Sequence, residues 1–227
     1  MIVAIDGPAG SGKSTTARSV AARLGFFHIN TGAMYRAVAL AFLRLETAAT
    51  PEGAAALLPA LKLDVRYEQG RQRLWLDGED VTDALNHPDV GRMASRVATL
   101  APVRERLVAE QRRLGRRYGA DPGVVLEGRD IGTVVFPEAH VKIFMVADPA
   151  VRAQRRQDEL AASGTHVSIA SVLEEIQERD RQDRQRALSP LRRAPDAIEL
   201  DTTHRSIEAQ VQFVVDRVRE RDQAGLV

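Results

Sequence analysis

The sequence contains no cysteine among its 227 residues, which excludes disulfide bonds and thiolate metal sites. It also lacks an excess of charge, since 32 basic residues stand against 31 acidic ones, and this disfavours a general nucleic-acid-binding surface. No apolar run approaches the ~20 residues of a membrane span, and no cationic leader precedes the first apolar segment. We therefore expect a soluble, cytoplasmic protein without a membrane or nucleic-acid partner, in which any anion site is local.

Hydrophobic residues make up 44% of the chain, so we expect a folded globule with a sizeable core. A length of 227 residues fits one α/β domain with insertions better than two large domains.

The first segment of the chain has the pattern of a phosphate-binding site. Residues 2–5 are typical of a buried strand, and a complete G-x-x-x-x-G-K-[ST] motif follows them. Its glycines let successive N–H groups point at an anion, and a helix expected over residues 13–24 adds its positive end. The Ser14 hydroxyl suits a Mg²⁺ ion. The residues expected to bind the triphosphate are Gly7, Pro8, Ala9, Gly10, Ser11, Gly12, Lys13, Ser14 and Thr15.

Apolar patterning predicts how the rest of the chain is organised. Strands are expected at residues 26–29, 124–126, 141–146 and 197–200, and helices at 33–45, 90–98, 102–118 and 206–221. This alternation is typical of a parallel sheet flanked by helices. The period of two between residues 61 and 85 instead indicates a small antiparallel insert, preceded by a small-residue connection at 47–53. Thr31 is the expected N-cap of the helix over 33–45, and Trp75 either packs in the insert or binds a ligand.

Charged residues follow the strand at 124–126, at the edge where open α/β sheets hold their ligands. Arg129 and Asp130 are therefore expected to meet a substrate. A second group lies on the helix that begins at Asp148-Pro149, where spacing predicts one shared side for Arg152, Arg155 and Arg156, as in an arginine lid extending to about residue 165.

The next helix begins near residue 168, with a capping box at Ser171 and Glu174. On it Arg179, Asp183 and Arg186 form one stripe, which either grips a phosphate and a ribose diol or is a surface salt-bridge ladder. Arg36 sits at a helix start that disfavours cations, and is either a surface residue or a ligand-binding one. The basic run at 112–117 is typical of a solvated face.

Taken together, these segments resemble bacterial cytidylate kinases. The resemblance rests on the P-loop, N-T-G-A-M-Y-R at 30–36, L-D-G-E-D-V-T at 76–82, E-G-R-D-I-G-T-V-V-F-P at 127–137 and the stretch 178–191. It runs essentially end to end, and it implies phosphoryl transfer from ATP, with Mg²⁺, to CMP or dCMP. The implied fold is an α/β P-loop nucleoside monophosphate kinase with a β insert and a helical lid. It would form a single domain over 1–227, with an acceptor-binding region at about 31–100, a lid at about 152–168, and a monomeric state.

The resemblance also implies residue roles. Acceptor phosphate contacts match Arg36, Arg129 and Arg186, cytosine contacts match Ser95, Arg104 and Asp130, and ribose contacts match Arg179 and Asp183. Lys13, Arg129 and the lid arginines Arg152, Arg155 and Arg156 would stabilise the transition state, and Ser14 would ligate the metal. The sequence departs from the family pattern at two positions. It has Glu127 where the family often has Asp, and Thr31 where Ser is common.

Two alternative functions share parts of this pattern. Another small-molecule kinase on this fold, with a UMP, AMP or shikimate acceptor, is the nearer alternative. A GTP-driven switch is disfavoured because the chain has no N/T-K-x-D motif, and its D-x-x-G occurs at 222–225, after no strand. The sequence ranks neither CMP against dCMP nor the base of the phosphate donor.

Overall fold

The computed structural model describes residues 1–68, 70–162 and 164–225. Within these ranges the strands are β1 (Ile2–Asp6), β2 (Phe27–Asn30), β3 (Leu63–Glu68), β4 (Arg71–Leu76), β5 (Glu79–Asp80), β6 (Val124–Gly128), β7 (Val141–Val146) and β8 (Ile198–Asp201). The α-helices are α1 (Lys13–Leu24), α2 (Thr31–Arg44), α3 (Pro51–Leu57), α4 (Pro88–Val97), α5 (Ala101–Ala120), α6 (Pro149–Ala162), α7 (Ile169–Gln185) and α8 (Ile207–Gln223). A 3₁₀ helix (Asp83–Asn86) precedes α4, and a π-helical turn (Ile131–Val135) follows β6. In these ranges no helix has the length and apolar character needed to cross a membrane.

A parallel five-stranded sheet in the order β2-β6-β1-β7-β8 forms the centre of the fold. Side chains of β1 alternate between its two faces, as pleating requires. Ala4 packs in a core with α2 and α5, whereas Val3 and Ile5 pack in a second core with α1 and α8. Helices therefore cover both faces, which explains why β6 is buried at every position. The predicted fold class is confirmed.

The insert is a three-stranded antiparallel sheet, β3-β4-β5, that docks on the edge strand β2. The side-chain oxygen of Gln72 accepts from the backbone N–H of Asn30 at 2.7 Å, and the Tyr67 hydroxyl donates to the carbonyl of His28 at 3.0 Å. Trp75 packs beneath the guanidinium of Arg66, 4.2 Å from its ring centroid. Trp75 therefore has the packing role rather than a ligand contact.

The start of α2 differs from the prediction. Asn30 is the N-cap, because its side-chain oxygen accepts from the backbone N–H of Ala33 at 2.9 Å. Thr31 is instead the first helical residue, and its hydroxyl donates to the carbonyl of Glu127 at 2.7 Å. The prediction of a Thr31 cap was wrong because a second good capping residue stands immediately before it.

Two further local predictions were wrong. The connection expected at residues 47–53 leads into α3, which Thr50 caps and Pro51 begins, so a helix starts inside it. At α7 the cap is Ser168, whose hydroxyl accepts from the backbone N–H of Ser171 at 3.1 Å. The capping box assigned to Ser171 therefore starts one turn too late.

Close packing between α5 and the turn after β6 can be tested at Gly115. A Cβ there would lie 2.4 Å from ring atoms of the fully buried Phe136. We expect Gly115→Ala to lower the free energy of unfolding by about 1–3 kcal/mol, because overpacking outweighs the helix propensity of alanine. Urea denaturation measures this. The matched control is Gly91→Ala in α4, where a Cβ meets nothing within 4 Å; equal effects of the two substitutions would contradict the packing argument.

Candidate active site

The P-loop joins the central strand β1 to the N-terminus of α1. Gly12, directly before the helix, has a φ of 87°, a left-handed conformation that favours glycine. Lys13 is buried, and its Nζ donates to the carbonyl of Pro8 at 2.6 Å. Burial and the neighbouring Arg129 guanidinium lower the pKa of Lys13 well below its ordinary value. A bound anion would offset both effects, so the loop is built for phosphate.

A hydroxyl and a carboxylate, both able to ligate a metal ion, meet at the start of α1. The Ser14 hydroxyl donates to Oε2 of Glu127 at 2.7 Å, and Oε1 of Glu127 lies 3.1 Å from Nε2 of His28. Burial opposes ionisation of Glu127, but the contacts with His28 and Ser14 hold the pKa of this carboxyl below its usual range.

Hydroxyl and carboxylate oxygens fit Mg²⁺, which takes one or two protein ligands and completes its shell with phosphates and water. Within the described ranges no group of three or more His, Cys, Asp or Glu side chains could hold a metal by itself. Glu127 was not among the predicted site residues. Its position, an acid at the end of a buried strand, was the available signal.

A cleft beside the P-loop brings together every residue predicted to bind the acceptor. Its walls come from α2, α4, α5, the end of β6 and α7. The predicted residues among its lining are Thr31, Arg36, Ser95, Arg104, Arg129, Asp130, Arg179, Asp183 and Arg186. The stripe on α7 is therefore part of this cleft and not a surface salt-bridge ladder, and Arg36 faces it as well.

The centre of the cleft carries concentrated positive charge. Nε of Arg129 donates to Asp183 at 2.7 Å, which leaves Arg36 and Arg179 with less compensation. Burial and nearby arginines lower the pKa of Arg36, and burial with Arg129 lowers the pKa of Arg179 to about 10. Desolvated cations that repel one another are stabilised by an anion. The geometry is therefore that of a second phosphate site facing the P-loop.

The inner end of the cleft holds a buried ion pair. Arg104 and Asp130 are 4% and 5% exposed, and an Nη2 of Arg104 donates to Oδ2 of Asp130. Arg186 approaches the other carboxylate oxygen to 3.9 Å. The hydroxyl of Ser95 also lines the cleft, while it donates weakly to Gly91 in its own helix at 3.4 Å. This end presents both a carboxylate and donors, which suits a base edge that carries an amine beside acceptors.

The lid arginines share one side of α6, as their spacing predicts, but they contact three different partners. Arg152 is buried in a bidentate pair with Asp180, at 2.6 and 3.1 Å, and donates to the carbonyl of Ala9 at 2.9 Å. An Nη2 of Arg155 donates to the carbonyl of Thr202 at 2.6 Å. Arg156 pairs with Glu159 at 3.1 Å and lines a second pocket, which lies against the P-loop. Their catalytic roles stay predictions. Arg156 is the least constrained of the three, because its ion pair is with Glu159 in the same helix.

Asp6, at the end of β1, fixes the loop that carries Arg129 and Asp130. Its two carboxylate oxygens accept from the backbone N–H groups of Ile131 and Gly132 at 2.9 and 2.8 Å. Burial raises the pKa of Asp6 to about 6 in spite of these bonds. Asp6 was not predicted to be a site residue, although an acid that ends an apolar strand before a P-loop was a usable signal.

A parallel sheet with a P-loop after its central strand, facing a cationic cleft for a second phosphate, defines a P-loop kinase. The family model for cytidylate kinase matches residues 3–220. The chain belongs to the cytidylate kinase family.

Individual relatives agree with this. The chain is 56% identical to a cytidylate kinase of Salinibacter ruber (strain DSM 13855 / M31), over 99% of this chain and 100% of the relative. It is 48% identical to a cytidylate kinase of Chlorobaculum tepidum, over 97% and 93% of the two chains. The solved structure of an uncharacterized protein from Eubacterium ventriosum, at 11% identity, has a TM-score of 0.50 and covers 96% of this chain and 98% of its own. That likeness concerns the fold alone.

The raised pKa of Asp6 predicts the pH dependence of one part of the stability. The pKa of Asp6 is about 6 in the folded protein, against an ordinary value of 3.8 that applies to the unfolded chain. The contribution of this carboxyl to the free energy of unfolding is therefore fully present below the unfolded pKa and is lost as pH rises through the folded pKa. We expect the unfolding free energy of wild type minus that of Asp6→Asn to fall, on the order of 3 kcal/mol, between about pH 4 and about pH 7. Urea denaturation at several pH values measures the difference.

The control for this experiment is Asp201→Asn, because contacts with Thr203 lower the pKa of the exposed Asp201. Its contribution is present above the unfolded pKa and lost as pH falls, so the sign of the pH dependence is opposite. A flat difference between wild type and Asp6→Asn would contradict the role assigned to burial at Asp6.

Proposed function

We propose that this protein transfers the γ-phosphoryl group of ATP to CMP and to dCMP, giving CDP and dCDP by in-line displacement. The observation that carries the proposal is the buried Arg104–Asp130 pair at the inner end of a cationic cleft that opens beside the P-loop. Membership of the cytidylate kinase family supports it, as do the relatives that bear that name. The acceptor cleft and the donor loop share one positive field, as phosphoryl transfer between two anions requires.

On the donor side, residues 7–15 bind the triphosphate through backbone N–H groups and the Lys13 ammonium. Lys13 exchanges its contact with the Pro8 carbonyl for phosphate oxygens. Ser14 and Glu127 are the residues that would hold Mg²⁺, which neutralises charge on the phosphates when bound. His28 orients Glu127 from the opposite side.

On the acceptor side, Arg36, Arg129 and Arg186 bind the phosphate of CMP, and Thr31 lines the same wall of the cleft. Arg179 and Asp183 contact the ribose hydroxyls, since they present a donor and an acceptor on neighbouring turns of α7. The pairing of Arg129 with Asp183 joins the two contacts, so binding of the phosphate and of the sugar is coupled.

Cytosine is read at the inner end. Its exocyclic amine donates to Asp130, while Arg104 and Ser95 donate to the acceptors N3 and O2. Uracil would turn a carbonyl toward the carboxylate instead. Leaving two acceptors facing each other without water costs about 1–3 kcal/mol, which is enough to disfavour UMP.

The chemistry requires no general base, because a phosphate monoester is already ionised near neutral pH. Catalysis consists of holding two polyanions in line and stabilising the charge that spreads over the transferred group. Lys13 of the P-loop and Arg129 after β6 stabilise this charge, together with arginines of the lid. Of these, Arg156 has the freest approach, whereas Arg152 and Arg155 are engaged with Asp180 and Thr202.

The same proposal extends to the organisation of the chain. Residues 1–227 form one kinase domain, in which residues at about 31–100 bind the acceptor and a lid at about 152–168 closes over both substrates and excludes water. The protein acts as a cytoplasmic monomer on small nucleotides, with no nucleic acid or membrane partner.

The test of the function is an ADP-release assay with ATP and Mg²⁺ against CMP, dCMP, UMP, AMP, GMP and shikimate. We expect turnover largely confined to CMP and dCMP, since cytosine, unlike uracil, offers an amine to Asp130. A reaction without acceptor gives the background hydrolysis. Preference for AMP, UMP or shikimate would keep the kinase and refute the cytosine pocket.

Lys13→Ala tests the donor side. We expect a fall in kcat of at least about 10²-fold, because a positioned cation that stabilises the transition state is lost. Thermal stability should not fall, since the substitution removes a buried cation whose charge is already disfavoured. Steady-state kinetics and a melting curve measure the two effects, and a near-normal rate would contradict the assignment of the P-loop.

A further inference from the structure

Buried hydrogen-bonding groups without partners collect at the inner end of the acceptor cleft. Among the residues that the structure describes, they include the hydroxyl of Tyr35, Nε2 of Gln111 and Nη2 of Arg186. Amide and guanidinium N–H groups can only donate, and a hydroxyl can do both. Donors therefore outnumber acceptors here, and a buried donor without a partner costs free energy in the unliganded protein. A ligand that brings acceptors would remove this cost.

Tyr35 is well situated to contact such a ligand. It lies one turn after Thr31 in α2 and lines the cleft. Its ring centroid is 5.8 Å from the guanidinium of Arg104, the proposed partner of the base. Burial raises the pKa of Tyr35 to about 12, and the nearby Gln111 side chain opposes that rise. The hydroxyl is therefore protonated near neutral pH and able to donate.

Gln111 lies behind the tyrosine. It belongs to α5, two turns after Arg104 and so on the same face of that helix, and is only 1% exposed. A glutamine is rarely buried so completely without hydrogen bonds for its amide. Because the side chain does not line the cleft, its Nε2 would reach a ligand through an intermediate group, and the Tyr35 hydroxyl is the neighbouring one.

We propose that Tyr35 is a further base-binding residue that determines acceptor specificity, and that Gln111 is its positioning residue. In the complex Nε2 of Gln111 donates to the Tyr35 oxygen, and the hydroxyl donates to an acceptor, N3 or O2, on the pyrimidine edge. The proposal rests on CMP being the acceptor. It gives the hydroxyl an acceptor on the base and strengthens the contact that the Gln111 amide already makes with the Tyr35 oxygen, without disturbing the Arg104–Asp130 pair.

The arrangement adds to the selection made by Asp130. The carboxylate accepts from the exocyclic amine, and the tyrosine joins Arg104 and Ser95 in donating to the acceptors N3 and O2 on the same edge. Cytosine presents this order of donor and acceptor, whereas uracil carries a hydrogen on N3 and a carbonyl in place of the amine. Since the Gln111 amide occupies the tyrosine oxygen, the O–H group is directed toward the base.

The first experiment compares Tyr35→Phe with wild type in steady-state assays with CMP and ATP. The substitution keeps the ring and removes only the hydroxyl. We expect KM for CMP to rise by about tenfold, as for the loss of one buried hydrogen bond, with kcat and KM for ATP within about twofold of wild type. Tyr118→Phe is the matched control, because Tyr118 packs against Phe27 and Tyr67 outside the cleft. It should leave all three constants unchanged.

Thermal melting separates this role from a structural one. If the hydroxyl stabilised the free protein, Tyr35→Phe would lower its Tm. Since the hydroxyl donates to no acceptor in the free protein, we expect the Tm of the free variant to equal or exceed that of wild type. The increase in Tm caused by saturating CMP should shrink, because that increase follows the affinity for the ligand.

A double-mutant cycle tests the part played by Gln111. Gln111→Leu should also raise KM for CMP, and Tyr35→Phe combined with Gln111→Leu should cost no more than Tyr35→Phe alone, because both act through one hydrogen bond to the base. Full additivity of the two effects would refute the coupling. If Gln111→Leu folds poorly, Tyr35→Phe with Gln111→Glu, which turns the donor into an acceptor, gives the same cycle.

The outcomes separate the two proposals. Wild type that prefers an acceptor other than CMP and dCMP would refute the function. Wild type that prefers CMP, with an unchanged KM for CMP in Tyr35→Phe, would refute the role of Tyr35 alone. A lower Tm of free Tyr35→Phe with parallel changes in both KM values would make the hydroxyl structural and would also overturn the inference.

Discussion

Mutual repulsion among buried cations is the constraint on which the site depends. Lys13, Arg36 and Arg179 all have pKa values lowered by burial and by neighbouring guanidinium groups. Such a cluster is unfavourable in a desolvated cleft unless carboxylates or ligands compensate it. Three carboxylates line the cleft and compensate part of this charge: Glu127, Asp130 and Asp183. A net positive field remains. The remaining free energy is available to bind two polyanions, which is what phosphoryl transfer between nucleotides needs.

The geometry of this field follows from the register of two strands. β1 and β6 pair in parallel, with Ile5 opposite Glu127 and Asp6 opposite Gly128, so the P-loop and the segment 127–130 leave the sheet side by side. Asp6 then fixes the second segment through the N–H groups of Ile131 and Gly132. Donor and acceptor sites are therefore held by the most buried part of the fold, while the helices around them supply the arginines.

Local patterns in the sequence predicted the elements whose formation is local. The P-loop, the parallel sheet and the antiparallel insert are present as predicted, and the nine residues that the family resemblance implied for the acceptor line one cleft, while their roles stay predictions. Individual side-chain contacts between distant residues were not predicted. Ser14 meets Glu127 across 113 positions of sequence, and Arg152 is engaged with Asp180. No helical spacing contains that information, so the shared side of three arginines on α6 did not reveal that each contacts a different partner.

The contact between α6 and α7 shows how a buried ion pair can fix the position of two helices more than it stabilises the fold. α6 and α7 share a small apolar cluster centred on Ala153, Val172 and Ile176, far smaller than the cores under the sheet. A segment with so little buried apolar surface opens at a lower free-energy cost than the sheet. Arg152 adds polar contacts where apolar contacts are few: it donates to Asp180 of α7 and to the Ala9 carbonyl of the P-loop. The free-energy cost of desolvating two charges offsets most of the attraction between them. The main effect of the pair is therefore to fix where the two helices meet the phosphate loop.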